Sequence, residues 1–382
     1  MQRSSLGLKL PDGMRDMLPE ELAWLEEMEA KAIKICRSWA YQKIATPGLE
    51  YRACLEPDAY KDDDLYKFFD QNGRILALRA EFTTPIARMV VNRLKSPVLP
   101  LRFCYSGDVY RNKAVRYREF RQVGVELVGS GSDLADAEVI ALAVEIMKAL
   151  NIPDFQLNLG HNGIFSGLAA ELNIKGDLRQ DLEDGISRKD MVRLEAIVAQ
   201  STLPSRVKEL LLAMPHLTGG EEVLTELKKW SDFQAILKAA ESLQNIFKYL
   251  EEFEVKEYVA LDLGILRGFS YYTGAIFEGY LPGVGIPVVE GGRYDGLYAD
   301  FGVNYPATGF AMNMGAIMER QTEFRVENPE VLVYGDSQRE VIKYCQKLRR
   351  EGKTVEMVLE PLTDQQAQDL ALRKAIGQVI KV

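Results

Sequence analysis

The stretch Glu119-Phe120-Arg121-Gln122-Val123-Gly124-Val125-Glu126-Leu127-Val128 decides how this chain is read. Side chains alternate along an extended chain, so Arg121, Val123, Val125 and Leu127 share one face and Gln122, Gly124 and Glu126 the other. The second face sets two polar groups on either side of a glycine floor. A small ligand can lie on such a floor, with Glu126 accepting a hydrogen bond and charge from a cation or an imidazole. The same alternation also suits an antiparallel sheet with one wetted face, and both readings stay open at this point.

Upstream, Phe103 and Tyr105 alternate with Arg102 and Cys104 ahead of Arg111, which predicts a partner strand. Downstream, Val139, Ala143, Met147 and Leu150 share one face of a helix over Asp136–Leu150, and Phe155, Leu157 and Leu159 resume a period of two. Leu25, Met28, Ala32 and Ile35 mark an amphipathic helix between Pro19 and Trp39. From about Ile164 to Phe253 helical signals dominate, as in Arg206–Met214 and Phe233–Phe253, and the stretch reads as a helical insertion. Strands return at Tyr258–Ile265 and Ser270–Glu278, after which Gly291-Gly292 is expected to turn the chain into a short helix. The last unit reads strand (Val331–Tyr334), helix (Gln338–Glu351), strand (Thr354–Leu359), helix (Thr363–Ala375) and strand (Gln378–Val382), with Gly352 as a helix stop. No internal repeat or low-complexity tract interrupts this order.

The chain has 382 residues, 47% hydrophobic and 27% charged, enough to bury a core and unlike a disordered segment. Its net charge of −9 gives no overall basic footprint for nucleic acid, although a local basic groove remains compatible with it. Four cysteines (Cys36, Cys54, Cys104, Cys345) show no C-x-x-C pairing. With only His161 and His216 besides, neither a zinc site nor a nucleophilic triad is indicated, and no metal or cofactor is expected. No apolar run approaches the roughly 18 residues a membrane span requires, and the chain is read as cytoplasmic and soluble. Gly129-Ser130-Gly131 lies where a dinucleotide fingerprint would, but the third glycine position is Leu134, so it reads as a strand-to-helix turn. No phosphate-binding G-x-x-x-x-G-K-[ST] occurs.

Two further stretches carry polar groups in suggestive places. In Leu78-Arg79-Ala80-Glu81-Phe82-Thr83-Thr84-Pro85, Glu81 and Thr83 can satisfy two of the three donors of an ammonium group. Helix N-terminal capping favours the same residue types and is the simpler reading of these residues alone. Leu266-Arg267-Gly268-Phe269-Ser270-Tyr271-Tyr272-Thr273-Gly274 and Glu290-Gly291-Gly292-Arg293-Tyr294-Asp295-Gly296 combine basic and aromatic residues with glycines that permit close backbone approach. Each can equally be a turn with packed tyrosines.

In this order, and with Leu10-Pro11-Asp12-Gly13-Met14-Arg15-Asp16 at the start, these stretches resemble the catalytic core of histidyl-tRNA synthetase, a class II aminoacyl-tRNA synthetase. The resemblance implies an α+β fold, a class II synthetase-like antiparallel sheet flanked by helices and normally dimeric. It divides the chain into a core of residues 1–163 and 256–322, a helical insertion at 164–255, and a shortened anticodon-binding-like α/β domain at 328–382. By the same resemblance Glu81, Thr83 and Gln122 hold the ammonium of histidine, and Glu126 and Tyr272 read its imidazole, with Tyr271 in the same histidine-binding set. Arg267 lies near the carboxylate, and Arg111 matches the motif 2 arginine that meets the carboxylate or α-phosphate.

The departures carry the functional expectation. Where the enzymes place a glutamate two residues after the motif 2 arginine, this chain has Arg111-Asn112-Lys113, and the loop that follows looks shorter. Gly315-Ala316 replaces the Glu-Arg that ends motif 3, and Ser270 replaces the usual aspartate before the paired tyrosines. Loss of one preorganised electrostatic donor typically removes about 2.7–4 kcal/mol of transition-state stabilisation, so a working adenylation site is not expected. A chain that keeps the amino-acid pocket but loses the ATP grip resembles the synthetase paralogues that serve as regulatory subunits of ATP phosphoribosyltransferase. That resemblance implies a hetero-oligomer with a short-form catalytic subunit at the first step of histidine biosynthesis, with L-histidine as feedback effector and transfer RNA not a partner. The rivals are an active histidyl-tRNA synthetase, which the retained Arg267 favours, and a scaffold with a vestigial pocket.

Overall fold

A computed structural model describes residues 8–55, 62–112, 117–266, 272–320 and 328–382. Helix α1 (Pro19–Ser38) starts at a proline whose missing N–H costs nothing in a first turn, where Glu20 and Glu21 complement the helix dipole. It buries Leu25, Met28, Ala32, Ile33 and Cys36. After β1 (Gln42–Lys43), strands β2 (Leu49–Tyr51), β3 (Lys67–Phe69) and β4 (Ile75–Leu78) form a small antiparallel sheet in the order β2-β4-β3. Helix α2 (Thr83–Arg93) leads into β5 (Leu101–Tyr110) and β6 (Glu119–Val128), which pair antiparallel along their full length. The bounds of β6 are those read from its alternation.

Helix α3 (Asp133–Ala149) begins where the Ser132 side chain accepts the Ala135 N–H. It is buried on nearly all sides, as its run of Ala, Val, Ile and Leu requires. Then follow β7 (Gln156–His161), α4 (Asn162–Glu171), α5 (Gly176–Ser187), α6 (Met191–Gln200), α7 (Ser205–Ala213), β8 (Thr218–Gly219), α8 (Glu222–Leu227) and α9 (Gln234–Glu252). Strands β9 (Val259–Asp262), β10 (Ala275–Tyr280), β11 (Val289–Arg293) and β12 (Ala307–Asn313) and the short helix α10 (Met314–Met318) complete this part. The main sheet runs β1-β5-β6-β12-β11-β10-β7-β9-β8. Its neighbours are antiparallel except β1–β5 and β7–β9.

By internal contacts the chain separates into one unit of Met1–Met17 and Leu25–Thr322 and another of Leu18–Trp24 and Glu323–Val382. The second contains β13 (Val331–Tyr334), α11 (Gln338–Arg350), β14 (Val355–Met357), α12 (Asp364–Arg373) and β15 (Gln378–Lys381), a parallel sheet in the order β14-β13-β15. Alternation along β13 explains its two-sided burial. Val331 and Val333 pack with Val341, Cys345 and Leu348 of α11, while Leu332 and Tyr334 pack with Ala367 and Ala371 of α12.

Three local expectations change. Gly291 and Gly292 are not a turn; both lie inside β11, and the single-turn helix comes later, at Leu297–Phe301. They are glycines because neighbours approach too closely for a side chain: a Cβ on Gly291 would stand 2.5 Å from the Phe277 ring and 2.7 Å from the Gly309 carbonyl oxygen. The strand expected from Ser270 begins at Ala275, with Ser270 and Tyr271 outside the described residues. Inside the expected helical insertion, β8 pairs with β9 at the sheet edge; two residues are too few to show a period.

Gly124 of β6 is crowded on the sheet's pocket face, since an added Cβ would lie 2.3 Å from both the Phe310 carbonyl oxygen and the Tyr105 hydroxyl. Gly124→Ala is expected to lower unfolding free energy by about 2 kcal/mol in urea. Gly48→Ala, where a Cβ meets nothing within 4 Å, should stay within about 0.5 kcal/mol of wild type. Equal stabilities for the two variants would contradict the packing.

Candidate functional site

Cross-strand register builds the site. Glu126 of β6 lies opposite Gly309 of β12, which lies opposite Gly292 of β11. The long carboxylate side chain thus meets a row without side chains, and a Cβ on Gly309 would stand 2.2 Å from Glu126 Oε2. Gly124 faces Ala311, which faces Glu290, and Gln122 faces Asn313. Above this floor is a cavity of about 390 Å³ lined by Glu81, Phe82, Thr83, Tyr105, Arg111, Gln122, Glu126, Tyr272, Glu290, Tyr294, Gly309, Phe310 and Ala311.

Six residues singled out from the sequence, Glu81, Thr83, Arg111, Gln122, Glu126 and Tyr272, therefore line one cavity. Arg267 and Tyr271 fall outside the described residues. The buried Glu81 carboxylate accepts the Thr84 N–H at 3.1 Å to each oxygen at the start of α2, and it also lines the cavity. Burial raises its pKa, against the hydrogen bonds from Thr84 and Thr83 and the charge of Arg111. Thr83 Oγ1 donates to Glu126 Oε1 at 2.8 Å, so its donor is committed and its lone pairs are what it can offer a ligand. Arg111 Nε donates to the Ala80 carbonyl at 3.1 Å, and its guanidinium lies 5.3 Å from the Phe120 ring centre. The buried Gln122 Oε1 has no hydrogen-bond donor among the described residues, an arrangement that costs free energy until a donor arrives.

Tyr294, quoted above only as part of a glycine-rich signature, closes the site by donating its hydroxyl to Glu126 Oε2. Alternation from Glu290 through Gly292 to Tyr294 places all three on the pocket face, so the signal was present once this segment was known to be a strand. Phe82 stacks on Tyr105 with ring centres 4.2 Å apart and forms an apolar wall. The site thus offers carboxylates and a carbonyl oxygen toward N–H donors, one guanidinium toward an anion, and aromatic sides. It suits a small zwitterion with a polar ring.

A second cleft, of about 1050 Å³, shares Arg111, Gln122, Glu290 and Ala311 with the first. Its further lining includes Phe120, Tyr117, the Val284–Val288 segment, Asn313, Ala316 and Glu319. The Asn313 side chain accepts the Ala316 N–H at 3.0 Å. Among its described lining residues the cation is Arg111, set against the carboxylates of Glu290 and Glu319. Lys113 lies outside the described residues. Among the described residues no cluster of three or more His, Cys, Asp or Glu is placed to hold a metal. No described helix is long and apolar enough to cross a membrane.

Burial pushes Glu126 up to about 8, against the Tyr294 and Thr83 hydrogen bonds and with the help of the Glu81 charge. Between the ordinary carboxylate value of 4.5 and about 8, the folded chain holds a proton that the unfolded chain has released. Its contribution to stability is therefore complete at the acid end and is lost as pH rises, with a slope of up to about 1.4 kcal/mol per pH unit. Urea unfolding of the ligand-free protein from pH 5 to 8 should show wild type losing stability relative to Glu126→Gln. A difference that is flat with pH would contradict this assignment.

Comparison with known proteins places this geometry. The histidyl-tRNA synthetase family profile matches residues 13–317. The ATP phosphoribosyltransferase regulatory subunit of Desulfitobacterium hafniense (strain Y51) is 51% identical over 380 residues, covering 100% of this chain and 99% of that protein. The regulatory subunit of the same name from Moorella thermoacetica (strain ATCC 39073 / JCM 9320) is 37% identical, with 98% of each chain covered. The crystal structure of an ATP phosphoribosyltransferase regulatory subunit/histidyl-tRNA synthetase from Bacillus halodurans C superposes with a TM-score of 0.87 at 31% identity over 98% of each chain. With relatives of this similarity along its whole length, the chain belongs to the histidyl-tRNA synthetase-like family of ATP phosphoribosyltransferase regulatory subunits.

Proposed function

We propose that the chain is a non-catalytic allosteric subunit. It binds L-histidine in the cavity around Glu126 and assembles with a short-form ATP phosphoribosyltransferase catalytic subunit in a cytoplasmic hetero-oligomer. One contrast carries the reading: the amino-acid cavity keeps its acceptors and its guanidinium, while the adjoining cleft has Ala316 and Glu319 where a triphosphate needs positive charge. In this reading Glu81, the Thr83 lone pairs and Gln122 Oε1 receive the ammonium group. Arg111 pairs with the carboxylate, and Glu126 accepts a hydrogen bond from the imidazole N–H beside Tyr272. Arg267 and Tyr271 complete the set on resemblance alone.

Adenylation places developing negative charge on phosphate and gains from cations fixed in advance around it. Among its described lining residues the cleft has two carboxylates and one guanidinium, with Ala316 offering no charge, a poor match to that chemistry. Loss of synthetase activity belongs to this reading, as does feedback inhibition of the first step of histidine biosynthesis through the bound effector. Histidine acts on the partner only through different affinities for two states of the assembly, and assembly must in turn change histidine affinity. A homodimeric core belongs to this reading. Leu49, Tyr51 and Phe68 are exposed on one face of the β2-β4-β3 sheet, an apolar surface that a second copy of the chain would cover.

Purified protein should show no histidine-dependent exchange of pyrophosphate into ATP, and clear turnover would defeat the regulatory reading. Calorimetry should detect L-histidine binding to the chain, or to its assembly with the catalytic subunit if the pocket is competent only there. Glu126→Ala should weaken that binding by at least about tenfold while sparing assembly. Unchanged affinity would exclude this cavity. Light scattering at micromolar concentration should report at least a dimer, and a monomer would contradict the second-copy surface.

A further inference from the structure

Behind the cavity, on the opposite face of the sheet, lies a buried ion pair that the histidine pocket does not use directly. Along β11, Glu290 and Gly292 point to the pocket, and Arg293 points away, toward α3. Its guanidinium is nearly fully buried. Nε donates to Asp136 Oδ2 at 2.8 Å, Nη1 to the Ser130 carbonyl and to Asp295 Oδ1 at 3.0 Å each, and Nη2 to the Ser132 carbonyl at 3.1 Å. One side chain thus ties together the turn after β6, helix α3 and the residue just beyond Tyr294.

The main chain of Arg293 completes the brace. Its carbonyl accepts the Thr273 N–H at 2.8 Å, immediately after Tyr272. Gly274 makes room for the Arg293 stem, since a Cβ there would lie 2.9 Å from Cδ. Tyr272 lies so close over Gly292 that a Cβ on the glycine would stand 2.9 Å from the ring, and the Tyr294 N–H donates to the Ala307 carbonyl at 2.8 Å. Both tyrosines at the ring end of the cavity are therefore neighbours, in sequence or through one hydrogen bond, of the same buried arginine.

We propose that Arg293, held by Asp136, is a positioning residue that fixes Tyr294 on Glu126 and Tyr272 over the glycine row, and thereby sets the site's preference for a ring bearing an N–H donor. The inference rests on the histidine-pocket reading and adds to it the source of ring selectivity. A lysine at 293 keeps the charge and can still meet Asp136, but it lacks the planar fork that spans four acceptors. The substitution therefore loosens the brace without leaving Asp136 as an unpaired buried charge.

The test uses the full chain and two ligands that differ only in the ring: L-histidine, and β-(2-thienyl)alanine, which keeps the ammonium and carboxylate but has no ring N–H. Wild type should prefer histidine by at least about tenfold, because a site built around a hydrogen bond rejects an analogue that cannot make it. Arg293→Lys should remove most of that preference by weakening histidine while changing thienylalanine less than about twofold. Tyr294→Phe should do the same, and the double variant should lose no more than Tyr294→Phe alone. Equal weakening of both ligands, or fully additive losses, overturns the proposal. If Arg293→Lys does not fold, Asp136→Asn, close to the native shape, takes its place.

A ligand-free readout separates this inference from the reading beneath it. The carboxyl carbon of Glu126, which faces Glu81, Tyr294 and Tyr298, should titrate at higher pH in Arg293→Lys because the Tyr294 donor is no longer held against it. An unmoved titration overturns the positioning role. If wild type binds no histidine, alone or assembled with the catalytic subunit, the functional reading falls, and this titration alone decides what the pair does.

Discussion

The structure depends on one buried carboxylate laid across a row of glycines. Glu126 projects from the middle of a strand into space that Gly309 and Gly292 leave empty, and it is held from two sides by the hydroxyls of Thr83 and Tyr294. Burying a carboxyl is costly unless its oxygens are hydrogen-bonded, and two donors here come from segments far apart in the chain, α2 and the end of β11. The fold must therefore be complete before the site exists. This couples the state of the sheet to the state of the pocket, a property that a sensor of a small molecule requires.

The neighbouring cleft is where the proposed loss of adenylation would be read. Its walls remain, with Phe120 and the Val284–Val288 segment, and it still opens onto Arg111 and Gln122. Ala316 contributes only a methyl group, and Glu319 adds negative charge to a lining that already includes Glu290. The cavity and the cleft share four residues, Arg111, Gln122, Glu290 and Ala311, so one sheet face lines both.

Much of this was legible in sequence. The alternation through Glu119–Val128 gave both the bounds of β6 and the face on which Gln122, Gly124 and Glu126 stand. The strand-helix-strand-helix-strand succession of the smaller unit was read from its periods. What stayed hidden depends on pairing across strands, which no local period records. Tyr294 was visible only as a member of a glycine-rich signature, because its contact with Glu126 requires β12 to lie between β6 and β11. Gly291-Gly292 looked like a turn because two glycines usually mean one, whereas here they admit the Phe277 ring and the Gly309 carbonyl. Glu81 offered a choice between cap and ligand group; its carboxylate accepts the Thr84 N–H and also lines the cavity.

In the proposed function this body acts through a partner rather than on a substrate. The most direct measurement is the rate at which a purified short-form phosphoribosyltransferase subunit condenses ATP with phosphoribosyl pyrophosphate, with and without this chain, across a titration of L-histidine. The account predicts that activity rises when the chain is added and falls again as histidine fills the Glu126 cavity. A catalytic subunit whose activity is indifferent to the chain, or whose response to histidine is the same in its absence, would contradict it.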